Sequence, residues 1–214
     1  MAGAGKCFLV AGSPGVGKTT LIVRVLESLK QSNPSLNIQG FYTREVREGA
    51  QRVGFEVVTL DGRRAPLAST NISRIISRLK VSEKDGECLD KLCSQIPESQ
   101  RWPNLGRYKV DISSFESLAL PELQVKEDTG LFIIDEVGKM ELFSSSFFPA
   151  VLRVLESNIP LLASVPVPKS GRDIPAVARL KNHPGATVYT LNTSNRDAMK
   201  EQIYSNLADI WQIH

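Results

Sequence analysis

Gly12-Ser13-Pro14-Gly15-Val16-Gly17-Lys18-Thr19 decides the fold. It satisfies G-x-x-x-x-G-K-[ST], the pattern of a loop that wraps phosphate oxygens, at every fixed position. The apolar run Cys7-Phe8-Leu9-Val10-Ala11 precedes it and reads as a buried strand. After it, Leu21, Ile22, Val25, Leu26 and Leu29 recur at helical spacing, which predicts a helix over Thr20 to Gln31. Strand, glycine turn and helix form the context in which backbone N–H groups and a helix N-terminus make an anion site. Glycines suit the turn because the backbone there takes positive φ and approaches the phosphate closely. Gly12 to Thr19, with Thr20 opening the helix, are therefore expected to bind nucleotide. Lys18 is expected to reach the β- and γ-phosphates and the Thr19 hydroxyl to ligate Mg²⁺.

Working outward, Asn33-Pro34 stops the first helix. A strand is expected within Leu36–Val46 and another over Val53–Leu60, joined at Glu48-Gly49-Ala50 and closed by a turn at Asp61-Gly62. So short a polar connection makes a β-hairpin rather than a helical crossover. Residues 69–103 read as an insertion. Ile72, Ile75, Ile76 and Leu79, then Leu89, Leu92, Cys93 and Ile96, have helical spacing, so this segment is a helical hairpin or an irregular loop. Tyr108, Val110 and Ile112 alternate as a strand, and Ser113-x-x-Glu116 fits a capping box for a helix over Phe115–Leu123. Strands at Leu131–Asp135, Pro160–Val165 and Thr187–Leu191 alternate with helices begun at Phe147, near Pro175 and after Asn192 or Thr193. That alternation predicts one α/β domain over 1–214, with a mostly parallel sheet between helical layers.

The second chemical constellation is Ile133-Ile134-Asp135-Glu136. A carboxylate at the carboxyl end of a buried parallel strand stands where open α/β sheets bind ligands. By itself that is a weak signal. Beside a complete phosphate loop, Asp135 is expected to support Mg²⁺ and Glu136 to deprotonate an attacking water. Lys139 is a candidate for stabilising transferring phosphoryl charge, Ser164 for orienting the water, and Lys169 and Arg172 for finger-type contacts. Asp135-Glu136-Val137-Gly138 also fits the D-x-x-G of GTPase switches, but the guanine-reading N-K-x-D occurs nowhere downstream.

Composition narrows the partners. A net charge of +3 without a Lys/Arg block gives no strong nucleic-acid signal. No apolar stretch approaches the ~20 residues of a membrane span, and no secretory signal is visible, so the expectation is a cytoplasmic protein. Three cysteines, none in a C-x-x-C, read as reduced thiols, and two histidines argue against zinc.

Taken together, several stretches resemble a known family. They are the phosphate loop, Gly40–Val46, Val53–Leu60, Tyr108–Asp111, Asp135–Leu142, Val165–Lys169 and Asn195-Arg196. The chain is similar, over nearly its whole length, to the small nucleoside-triphosphatases of the P-loop superfamily, which have human and thermophile members. Asp135–Leu142 is the most specific part of that likeness. The resemblance implies a RecA-like, three-layer P-loop NTPase fold. It also implies slow, Mg²⁺-dependent hydrolysis of nucleoside triphosphates with little regard for the base. Asn195 and Arg196 would lie near base or ribose, or else serve as helix cap and surface. The alternatives in function are a small nucleotide or nucleoside kinase and a nucleotide-dependent interaction switch. Against the kinase, the insertion offers only Arg74, Arg78 and Arg101 for a lid.

Overall fold

A computed structural model describes residues 6–71, 102–168 and 171–212. The helical spacing at Ile72–Ile96, the three arginines of the insertion and Lys169 lie outside the described residues, as do Cys88 and Cys93.

Among the described residues nine strands form one mixed sheet. In chain order they are β1 (Cys7–Gly12), β2 (Ile38–Glu48), β3 (Gln51–Thr59), β4 (Arg64–Ser69), β5 (Asn104–Leu105), β6 (Tyr108–Val110), β7 (Leu131–Asp135), β8 (Leu161–Pro166) and β9 (Ala186–Thr190). Their spatial order is β5-β6-β4-β3-β2-β7-β8-β1-β9. Among the described residues the helices are α1 (Lys18–Ser32), α2 (Ile112–Glu122), α3 (Phe147–Glu156), α4 (Pro175–Lys181) and α5 (Arg196–Ile210), with a 3₁₀ turn at Glu141–Phe143.

The sheet has two characters. Strands β2, β7, β8, β1 and β9 pair in parallel. The β2–β3 hairpin then leads outward through antiparallel β4, β6 and β5. The parallel core is the expected P-loop arrangement, with β8 between the phosphate-loop strand β1 and the carboxylate strand β7.

Burial on both faces explains why the core strands read as unbroken apolar runs. Along β1, Cys7, Leu9 and Ala11 face one side with Phe132, Ile134, Phe147 and Val151, while Phe8 and Val10 face the other with Ile22, Val25, Ile203 and Leu207. Helices α2, α3 and α4 contribute to the first layer and α1 and α5 to the second. In the first layer Phe41, Phe115 and Phe147 form a triangle, with ring centroids 5.3 to 6.1 Å apart. Each such aromatic pair adds about 0.5–1.5 kcal/mol beyond area burial, which locks β2 to α2 and α3.

Several local expectations are corrected. Strand β4 over Arg64–Ser69 was not among the expected strands. The strand expected at Tyr108–Ile112 stops at Val110: the Asp111 N–H still bonds the Leu67 carbonyl at 2.8 Å, one step beyond the Ala68–Val110 pair, but Ile112 already opens the helix. Helix α2 therefore starts earlier, and Asp111 rather than Ser113 caps it: Asp111 Oδ1 accepts the Ser114 N–H at 3.0 Å. Glu116 is not part of a capping box but accepts the Ser144 hydroxyl at 2.5 Å. Before α5 the cap residue is Asn195, and Asn192 Oδ1 instead takes the N–H groups of Ser194 and Asn195. Pro149 sits in the first turn of α3, where its missing N–H costs no hydrogen bond.

Candidate active site

The site forms at the carboxyl ends of β1, β7 and β8, on the face covered by α1. The phosphate loop leaves β1 at Gly12 and enters α1 at Lys18. Gly15 and Gly17 take φ of 76° and 100°, the left-handed region in which an L side chain is strained. Ser13, Pro14, Gly15 and Thr20 are exposed, and Val16, Gly17 and Thr19 half-buried. Lys18 folds inward and is only 7% exposed, with Nζ donating to the Gly12 carbonyl at 3.1 Å.

The opposite wall comes from β7. Strand alternation places Asp135 on the same face as Leu131 and Ile133, toward α1, and brings Ser164 of β8 beside it. Both are buried, and the Ser164 hydroxyl donates to Asp135 Oδ1. Burial pushes the Asp135 carboxyl above its usual range; the Ser164 and Thr19 hydroxyls pull it back, Glu136 raises it further and Lys18 lowers it. Asp135 Oδ2 is buried with no hydrogen-bond partner. An orphan carboxylate oxygen beside a threonine hydroxyl is an all-oxygen donor pair of the kind that suits Mg²⁺. Among the described residues no cluster of three His, Cys, Asp or Glu could hold a metal on its own. Mg²⁺ characteristically binds through one or two carboxylates plus waters and substrate phosphates, so the donor set fits it.

Glu136 joins the walls. Its Oε2 lies 3.1 Å from Lys18 Nζ, and the side chain keeps 29% exposure. The Asp135–Glu136 peptide is cis.

The remaining predicted residues fall at graded distances from this centre. Arg196 reaches the loop, with Nε donating to the Val16 carbonyl at 2.9 Å. Asn195 is committed to its own turn: Nδ2 donates to Thr190 O, and Oδ1 accepts the Asn192 N–H, each at 2.9 Å. Lys139 and Arg172 are exposed and make no ion pair or hydrogen bond among the described residues.

Motif spacing gives no role to Glu141, a buried carboxyl in the loop after Glu136. Its Oε2 accepts the Gly138 N–H at 3.1 Å. Burial, with the nearby charges of Glu136 and Asp135, pushes it up to about 8. The available signal was an acidic residue inside the otherwise apolar run Met140-Glu141-Leu142-Phe143. The Ser164–Asp135 bond was equally hidden, because it depends on β8 lying next to β7.

Comparison with known proteins agrees with this geometry. The NTPase family profile matches residues 7–204. The bovine cancer-related nucleoside-triphosphatase homolog is 39% identical over 206 residues, 92% of this chain and 94% of the relative. Among solved structures, a human cancer-related nucleoside triphosphatase superimposes with a TM-score of 0.71 at 35% identity, covering 95% of this chain and 98% of its own. THEP1 from Aquifex aeolicus gives 0.67 at 31%, covering 94% and 98%. With likeness that extends across nearly the full length of both partners in each pair, this chain belongs to the NTPase family.

Proposed function

We propose that this chain hydrolyses nucleoside triphosphates to the diphosphate and inorganic phosphate. One observation carries the reading: a single buried cation, Lys18 Nζ, stands 3.1 Å from the first carbonyl of the phosphate loop and 3.1 Å from Glu136 Oε2. A γ-phosphate drawn to Lys18 is thereby brought beside a carboxylate able to accept a proton from water. The relatives named nucleoside-triphosphatases support the same activity.

In this reading the loop Gly12 to Thr19 holds the phosphates through its backbone N–H groups, Pro14 having none to offer, and Arg196 braces the loop at Val16. Thr19 and Asp135 would hold Mg²⁺, with Ser164 orienting the Asp135 carboxylate. The metal, when bound, neutralises charge on the β- and γ-phosphates. Glu136 takes the proton of the attacking water, help worth about 10²–10⁴-fold, or roughly 3–5 kcal/mol of barrier. Lys139, exposed and without a partner among the described residues, is free to swing toward the γ-phosphate. Asn195, already engaged in its turn, offers little toward a base, which agrees with broad base tolerance. The buried free thiol of Cys7, pushed up to about 12 by burial, is inert and suits a cytoplasmic location. Among the described residues no helix is long and apolar enough to cross a membrane.

The test is phosphate release from ATP, GTP, CTP and UTP, with and without Mg²⁺, by wild type, Lys18→Ala and Glu136→Gln. Lys18→Ala is expected to weaken triphosphate binding. Glu136→Gln is expected to bind normally and lose about 10²–10⁴-fold in kcat. Full activity in Glu136→Gln would remove the general-base assignment. Transfer of γ-label to an added nucleoside or monophosphate would make the enzyme a kinase, and strong acceleration by a bound macromolecule would make it a switch.

A further inference from the structure

The loop after β7 is tied down more thoroughly than a connection needs. At its near end the Val137 N–H donates to Ser164 O at 2.9 Å. In its middle, Leu142 N–H donates to Gly138 O at 3.1 Å and Ser144 N–H to Glu141 O at 3.0 Å. At its far end the Ser144 hydroxyl donates to Glu116 of α2 and accepts the Phe147 N–H at 3.1 Å. Inside this frame sits Glu141, only 4% exposed, which accepts the Gly138 N–H.

Gly138 is where two carboxyl groups converge. A Cβ at that position would stand 2.7 Å from Glu136 Oε1 and 3.0 Å from Glu141 Oε2. The missing side chain therefore lets the Glu136 and Glu141 carboxyls both lie against the Gly138 backbone. The other Glu136 oxygen, Oε2, meets Lys18. A buried glutamate is costly in its charged form and common only where it has a task. Here its raised proton affinity leaves it uncharged near neutral pH, so it accepts the Gly138 bond without setting a full negative charge against Glu136.

We propose that Glu141 is a positioning residue for Glu136: by fixing the Gly138 backbone and closing the space behind the Glu136 carboxyl, it directs that carboxyl toward Lys18 and the phosphate loop. The proposal rests on Glu136 being the base. Without Glu141, the Gly138 N–H loses a buried partner and Glu136 gains room to turn away from the phosphate side. A misplacement of about 1 Å at a reacting group is enough to cost ~10²-fold.

The experiment compares Glu141→Gln, Glu141→Ala and Glu141→Asp, each in the wild-type and Glu136→Gln backgrounds. Single-turnover hydrolysis of Mg-ATP gives the chemical step, fluorescent-analogue titration gives triphosphate affinity, and a thermal melt reports folding. Glu141→Ala should lose about ten- to a hundredfold in the chemical step with affinity held within about twofold. Glu141→Gln keeps an acceptor for the Gly138 N–H and should retain most of the rate at pH 7. Glu141→Asp, too short to reach, should behave as Ala does and replaces it if Ala does not fold. In the Glu136→Gln background the Ala and Asp changes should cost nothing more, because the group they position is gone. The proposal is overturned by wild-type rates in both Ala and Asp, by failure of Gln to rescue, by equal losses in rate and affinity, or by an undiminished loss when Glu136 is already Gln. Full turnover in Glu136→Gln alone would instead remove the base, a separate result on a separate variant.

Discussion

At Glu141 the protein interior works against the charged form of a carboxyl. Burial first, then the charges of Glu136 and Asp135, raise it from 4.5 to about 8. A raised carboxyl keeps in the folded state a proton that the unfolded chain gives up. Its contribution to stability is therefore complete below pH 4.5 and is lost progressively as pH rises through about 8. A tenfold difference in proton affinity between folded and unfolded chain is worth about 1.4 kcal/mol, so the change across that window is on the order of a few kcal/mol. Glu141→Gln has no proton to lose. Its melting temperature should gain on wild type between pH 5 and pH 9 in nucleotide-free protein, and parallel curves would contradict the burial-driven rise. Lys18, Thr19 and Asp135 stood out as candidates at this scale because a motif specifies residue types at fixed spacing. Glu141 was not, because its environment comes from side chains that no spacing rule names.

Among the elements, α2 separates pattern from geometry most sharply. The sequence pattern starts the helix with Ser113-x-x-Glu116, and the chain path moves the cap to Asp111. The Asp111 N–H bonds to Leu67 of β4 in the register of the β4–β6 pair, and the chain then turns into α2 with the Asp111 carboxylate over its first turn. Its Oδ2 also accepts the Ser114 hydroxyl at 2.7 Å. Asp111→Ala is expected to cost about 0.5–2 kcal/mol in urea unfolding, while Ser113→Ala should lie within about 0.5 kcal/mol of wild type. The reverse ranking would restore the capping box. The hairpin β2–β3 and helices α3 and α4 followed directly from local signals: a short polar turn, an apolar helical stripe and a proline at the first turn. Strand β4 lacked such a signal, since Arg64-Ala65-Pro66-Leu67-Ala68-Ser69 joins the sheet through pairing with β3 and β6.

For the whole molecule, the sheet order does the assembling. Strand β8 lies between β1 and β7, so Ser164 reaches Asp135 from one neighbour while Lys18 reaches Glu136 from beyond it. A triphosphate with Mg²⁺ would then touch elements on both sides of β8, in the middle of the parallel core, and stabilise the fold as a unit. At a ligand concentration one hundred times Kd the gain is about 2.7 kcal/mol. For a chain of this size that corresponds to a rise of roughly 5–10 °C in Tm. Thermal shift with a slowly hydrolysed triphosphate and Mg²⁺ should show such a rise for wild type and Glu136→Gln, and most of it should vanish in Lys18→Ala. An equal rise in Lys18→Ala would mean that the ligand binds elsewhere.

By itself the sequence determined the phosphate loop, the acidic pair at the end of β7 and the alternation of strands and helices. These are local: a loop that needs glycines, strands that need apolar residues on both faces, helices that need a 3.6-residue stripe. Tertiary structure alone decided that Lys18 meets Glu136, that Ser164 bonds Asp135, that Asp111 caps α2 and that Glu141 is buried behind the proposed base. Each of these depends on which strands become neighbours and how much water they exclude. Contact across a sheet and the loss of solvent around a carboxyl are properties of the folded packing, and they have no counterpart in residue spacing.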